Sequence, residues 1–164
     1  MSMAELNKPL PLVELLKWPE FLQVVERAPL VSIDLLVQNS AGDALLGWRN
    51  NQPACDHWFV PGGRVQKNET LDAAFLRLTQ AELGVALARS SAQWLGVFEH
   101  FYDSNAGRLE GFGTHYVVLA YTLQLDESDM ALPLGEQHSR YRWASKADIV
   151  KDTAVHLHSR AYFE

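Results

Sequence analysis

The chain is poor in the features that tie a protein to several large classes of function. Its 164 residues contain one cysteine, Cys55, which cannot close an internal disulfide, so nothing calls for an oxidising compartment. Basic residues are the minority: 14 Lys and Arg stand against 20 Asp and Glu, for a net charge of −6. That balance excludes a broad nucleic-acid footprint, which needs a basic stripe, but not a small phosphorylated ligand held by a few arginines. Long apolar runs are missing too. The longest candidate, Tyr116 to Tyr121, is of strand length, far short of the roughly 20 residues a membrane helix needs. The opening MSMAELNKPLPLVELLKWPEF has no basic start, unbroken apolar core or small-residue cleavage site, and does not resemble a secretory leader. A cytoplasmic protein is expected, with no membrane partner.

What is present is ordinary globular material, 48% hydrophobic, at a length that suits one domain. Residues 1–20 are expected to form a helical N-terminal extension and residues 21–164 a single domain. Apolar spacing over residues 12–27 predicts two short helices broken at Pro19. Leu30 to Val37 reads as a buried strand interrupted by Asp34, and Ala44 to Trp48 as its hairpin partner. Trp58 to Val60 is a short strand stopped by Pro61-Gly62-Gly63. Thr70 to Leu83 is the clearest helix, with Asn68 or Thr70 as cap, Leu71, Ala74, Phe75 and Leu78 as apolar face and Gly84 as its stop. Strands follow at 93–102, 114–125 and 141–143, then a helical turn at 145–150 and further helix after Thr153. Strands flanking a long helix, with helices at both ends, predict an α+β fold: an α/β/α sandwich with a mixed sheet.

The stretch that carries chemistry runs from Gly62-Gly63-Arg64 through Glu69 into the helix bearing Arg77 and Glu82. Glycines there let the backbone approach a ligand closely, because no side chain intervenes. Gly-Gly alone would be a plain turn. The spacing adds much more: Gly63, Glu69, Arg77, Glu82, Gly84 and Val85 fall in register with G-x5-E-x7-R-E-U-x-E-E-x-G-U, where U is a bulky aliphatic residue. This resembles the box of the Nudix hydrolase family. Three departures are informative. The family's three helical glutamates, at i, i+3 and i+4, would share one face; here those positions are Leu78, Ala81 and Glu82, and Thr79 replaces an aliphatic residue. One carboxylate with a glycine carbonyl and another oxygen suits a single Mg²⁺ rather than a cluster.

The altered box resembles the GDP-mannose mannosyl hydrolase branch of that family. So do Pro-Leu-Val-Ser-x-Asp at 29–34, Leu-Leu-Gly-x-Arg at 45–49 and Trp-Phe-Val-Pro-Gly-Gly-Arg-Val-Gln-Lys at 58–67. His-Phe-Tyr-Asp at 100–103, Thr-His-Tyr-Val-Val-Leu at 114–119, Glu-Gln-His at 136–138 and Ser-Arg-Ala-Tyr-Phe at 159–163 extend the likeness over residues 21–163. The resemblance implies Mg²⁺ (replaceable by Mn²⁺) on the Gly62 carbonyl, Glu82 and Gln137. It implies His138 as general base on one loop with Gln137, and Arg49, Arg64 and Tyr116 on the diphosphate. Arg77 would assist electrostatically and Asp34 would contact the sugar. A homodimer is implied as well.

These roles suit the residue types. Expelling GDP builds charge on a diphosphate, which fixed arginines and a cation stabilise best. A base is then needed for water, and an imidazole near its usual pKa suits neutral pH. The expected reaction is hydrolysis of GDP-mannose, or GDP-glucose, to GDP and the sugar by water attack at C1 with inversion. One alternative is attack at phosphorus, giving GMP and a sugar phosphate; another is a noncatalytic nucleotide-sugar-binding module. By type alone a loop histidine is commonly a surface residue, and Asp34 could be a satisfied buried group. Glu69 is expected to brace its loop rather than bind metal. Trp48, Trp58, Trp94 and Phe98 are expected in the core, and His57, His115, His156 and His158 carry no assignment.

Overall fold

The computed structural model of the chain describes residue 11, residues 14–134 and residues 138–164. Most of Leu12 to Arg27 forms one helix rather than two, α1 (Trp18–Arg27). Pro19 lies in its first turn, where no intrahelical N–H is required, so it starts the helix instead of breaking it. The Glu20 carboxylate accepts the Lys17 N–H at 3.1 Å and ties down that start. The helix crosses the expected boundary at residue 20; residues 14–17 of the expected helical extension are not helical, and 1–10 and 12–13 lie outside the described residues.

Strand β1 (Leu30–Gln38) is the centre of the sheet. It is followed by β2 (Ala44–Arg49), β3 (Trp58–Phe59), β4 (Gly62–Arg64), α2 (Leu71–Leu83), β5 (Gln93–Tyr102), β6 (Thr114–Gln124), β7 (His138–Ala144), α3 (Lys146–Lys151) and α4 (Leu157–Arg160). Single turns of 3₁₀ helix lie at Arg89–Ser91 and Glu127–Asp129. The order β3-β2-β1-β6-β5 is joined by β4 beside β1 and β7 beside β2. β1 runs parallel to β6 and antiparallel to β2 and β4, which makes the sheet mixed.

Alternation along β1 sends its side chains into two cores. Ile33, Leu35 and Val37 meet Phe75, Leu78 and Leu83 of α2. Leu36 on the other face meets Phe59, Ile149, Val155 and Phe163, the last three from the segment that contains α3 and α4. The result is the expected α/β/α sandwich. Thr70 caps α2 by accepting the Ala73 N–H, and Gly84 ends it at φ 72°, where a Cβ would also strike the Ala131 carbonyl. Leu71, placed in the core by its spacing, is 36% exposed, while Thr79 and Glu82 are buried instead. Trp94 is another correction: β5 is an edge strand and leaves it 49% exposed. Gly62–Arg64, expected as a loop, pairs with Ser32–Asp34 as strand β4. Among the described residues no helix is long and apolar enough to cross a membrane.

Candidate functional site

A cavity of about 1130 Å³ opens where β1, β4 and the start of the following loop meet α2. Asp34, Arg49, Gly62, Arg64, Arg77, Glu82 and Tyr116 all line it, so the sheet and helix gather seven of the nine residues singled out from the sequence. Gln137 lies outside the described residues, and His138 is set back behind the wall.

Asp34 owes its position to β1, where it points to the side opposite Ile33 and Leu35. It is only 6% exposed, and burial pushes its carboxyl up to about 7 against the pull of the Tyr162 hydrogen bond and the Arg49 charge. The Tyr162 hydroxyl donates to Asp34 Oδ2 at 2.8 Å, and that hydroxyl lies 3.2 Å from His100 Nε2. With its proton given to Asp34, the Tyr162 oxygen is left to accept from a neutral His100. Burial and the neighbouring His158 and His156 hold His100 down to about 3, so it stays neutral across the working range. Sequence reasoning missed Tyr162, His100 and Tyr102, although all three stand in stretches that carried the resemblance. His156 and His158, which carry no assignment from the sequence, have ring centroids 5.0 Å from each other, His156 preceding α4 as its cap.

Glu82 lies on the face of α2 that carries Leu78 and Ala81, and all three line the cavity. Burial raises its carboxyl to about 7, with Arg49 opposing. Gly62 lines the same cavity. A Cβ at Gly62 would sit 2.5 Å from the Ile33 carbonyl and 2.9 Å from Asp34 Oδ1, so only glycine brings its backbone this close to β1. A carboxylate and a backbone carbonyl lining one cavity are hard oxygen donors, and the chemistry of this pair fits a divalent cation. Leu78 fills the space beside Gly63, where a Cβ would come within 2.6 Å of Leu78 Cδ2. The helix therefore presents packing where the box pattern has an acid.

Arg77 is held in an ion pair. Its Nε and Nη2 donate to Glu69 at 2.7 and 2.8 Å, and Nη2 also donates to the Arg64 carbonyl at 2.8 Å. Glu69 in turn accepts the Gln66 N–H at 2.9 Å, and Arg77 holds the Glu69 carboxyl below its usual range. The pair braces the glycine loop and fixes the backbone of Arg64, the bracing expected of Glu69. Arg49 is the central charge: it lowers Asp34 and Glu82 as an opposite charge and His138 as a like one. Its Nε is buried with no hydrogen-bond partner among the described residues.

His138 departs from expectation in two respects. It is the first residue of β7, paired with Arg49 of β2, rather than part of a loop. Its side chain is 2% exposed, with Nδ1 3.5 Å from Glu82 Oε2, and burial lowers it to about 4 rather than leaving it near the usual imidazole value. Gly47 makes room for the ring, since a Cβ there would lie 2.4 Å from His138 Cδ2.

Residues 28–164 match the NUDIX domain family. The chain belongs to the Nudix family. A curated relative in Haloferax volcanii, the low-salt glycan biosynthesis protein Agl8, is 44% identical over 124 residues, 75% of each chain. The fold is similar to that of a MutT Nudix hydrolase from Burkholderia pseudomallei, with a TM-score of 0.67 and 25% identity over 84% of this chain and 97% of that one. It is also similar to a MutT protein from Methanosarcina mazei Go1, with a TM-score of 0.65 and 21% identity over 84% and 92%. The Nudix domain of NrtR from Shewanella oneidensis, solved with ADP ribose, has a TM-score of 0.60 at 18% identity over 90% and 96%. The latter two likenesses speak to fold alone. Nudix hydrolases generally use a divalent metal such as Mg²⁺, which accords with the Gly62 and Glu82 donors.

Proposed function

We propose that this Nudix hydrolase cleaves GDP-mannose, or the related GDP-glucose, at the C1–O bond, releasing GDP and the free sugar with inversion. The observation that carries this is the acid-poor face of α2, where Leu78 and Ala81 share the cavity wall with Glu82. Cleavage at phosphorus in this family usually draws on the acids those two positions lack. The relative's name, a glycan biosynthesis protein, is consistent with a sugar nucleotide as substrate.

Arg49 and Arg64 hold the diphosphate, with Tyr116 beside them, and Arg77 keeps Arg64 in place through its carbonyl. Asp34, aimed by Tyr162, takes the sugar hydroxyls. His138 accepts the proton of the attacking water. Nδ1 is taken up beside Glu82, and Nε2, buried with no hydrogen-bond partner among the described residues, is the nitrogen that must open to that water. Gly62, Glu82 and, by family resemblance, Gln137 would hold one Mg²⁺, which neutralises charge on the departing diphosphate when bound. A cytoplasmic homodimer completes the proposal. Val97 and Phe101 on the edge strand β5 are 58% and 62% exposed and offer an apolar surface to a second copy.

Hydrolysis in ¹⁸O-labelled water is expected to place the label in mannose and none in GDP. Label on a phosphate would establish attack at phosphorus and overturn the proposal. Glu82→Gln removes a full charge from the cation's ligands. Substituting outer partners of a metal site costs roughly 10–100-fold in affinity, so loss of the ligand itself should cost more. Calorimetric titration is expected to show one essential Mg²⁺ per chain, bound far more weakly by the variant. Two essential ions per chain would exclude a single-metal site.

A further inference from the structure

The proposed reaction uses one end of the cavity and leaves the other without a task. The register of β1 with β4 gives the cavity a direction: Asp34 pairs with Gly62, and Ser32 with Arg64. Asp34, Ser32 and Leu30 follow along β1 at intervals of about 7 Å, from a rise of about 3.3 Å per residue. The sugar end at Asp34 is thus followed by the phosphate anchor Arg64, and then by the end of the cavity next to α1. A nucleotide sugar with its hexose at Asp34 and its diphosphate at Arg64 must send its nucleoside toward α1.

Leu16, Trp18 and Phe21 line that end. Phe21 lies over the Arg64 guanidinium, 4.0 Å from ring centroid to carbon, so the arginine gives up a face and keeps its in-plane N–H groups for phosphate. One face of Phe21 is thereby taken. Trp18 comes next outward, its ring centroid 5.8 Å from that of Phe21, and it is 55% exposed. A large, exposed aromatic ring in a cavity wall, next to the ring that packs on the phosphate anchor, has the properties of a base-stacking platform.

We propose that the indole of Trp18 stacks on the nucleobase of the substrate, so that the segment opening α1 forms a nucleoside subsite. This rests on the nucleotide-sugar function proposed above. Stacking needs a ring and not a particular hydrogen-bond pattern, so phenylalanine should serve in place of tryptophan. The test compares GDP with inorganic pyrophosphate, which has the phosphates and no base, by calorimetry in Mg²⁺ buffer. Trp18→Ala is expected to weaken GDP binding roughly tenfold or more, to change pyrophosphate binding less than twofold, and to be largely restored by Trp18→Phe. GDP binding that is unchanged in Trp18→Ala, or lost in parallel with pyrophosphate binding, would overturn the subsite while leaving the hydrolase function standing. Failure of GDP to bind the unaltered protein would overturn both together.

Discussion

His138→Gln is expected to lower the turnover of GDP-mannose by roughly 10²–10⁴, the usual cost of removing a positioned general base. The expected loss lies in kcat. Binding of GDP should stay near its original strength, because a base touches the attacking water and not the diphosphate. The structure supplies the competing explanation that the experiment must separate. His138 Nδ1 lies 3.5 Å from Glu82 Oε2, so the histidine is also placed to orient a carboxylate that would hold Mg²⁺. Were that its main task, the variant would bind Mg²⁺ more weakly and saturating Mg²⁺ would restore the rate. A rate that stays low at saturating Mg²⁺ identifies the base; one that stays near that of the unaltered protein removes His138 from the mechanism. Gln is the suitable replacement, because a site 2% exposed and shaped by Gly47 tolerates little added volume.

Asp34→Asn is expected to stabilise the protein in alkali while impairing catalysis. The folded-state pKa of Asp34 is raised from 3.8 to about 7, so the native state binds its proton more tightly than the unfolded chain does. Stability from this group is therefore greatest in acid, and it falls as pH rises from about 4 to about 7. Each pH unit in that window removes about 1.4 kcal/mol, roughly 4 kcal/mol in all by pH 8. Asparagine carries no charge at any pH and keeps an oxygen for the Tyr162 hydroxyl, which donates at 2.8 Å. Its extra N–H groups add a cost that does not depend on pH. Urea unfolding at pH 4 and pH 8 should show the variant gaining on the unaltered protein by several kcal/mol between the two. An equal difference at both values would mean that burial of the charge is not what strains this site. Keeping a carboxylate in a dry wall at such cost suits a residue retained for its ligand.

Much of this arrangement was legible in the sequence because it rests on local pattern. The caps and stop of α2, the buried run of β1 and the box spacing all act within a few residues of one another. The errors arose where a residue's role is set by something distant. Pro19 gives a break signal, yet the same ring suits a first turn, and only the position of the helix start decides between them. His138 was expected on a loop near its ordinary pKa, but its pairing with β2 buries it. Tyr162 lies 128 residues from the Asp34 carboxylate it orients, and no spacing rule spans that distance.

The parallel pairing of β1 with β6, from Leu30 beside Tyr116 to Gln38 beside Gln124, has a consequence for how the protein is made. During synthesis β1 leaves the ribosome more than eighty residues before the strand that will close its second edge. Its near partners β2 and β4 can form antiparallel pairs at once, but the other edge of an apolar strand stays open until β6 arrives. Pairings so distant in sequence slow folding and extend the time in which an unpaired edge can recruit a neighbouring chain. Asp34 and Tyr116 belong to these two strands, so the cavity is completed only when this closure occurs. Nascent chains stalled before residue 114 should be inactive and prone to aggregate, and refolding yields should fall as protein concentration rises.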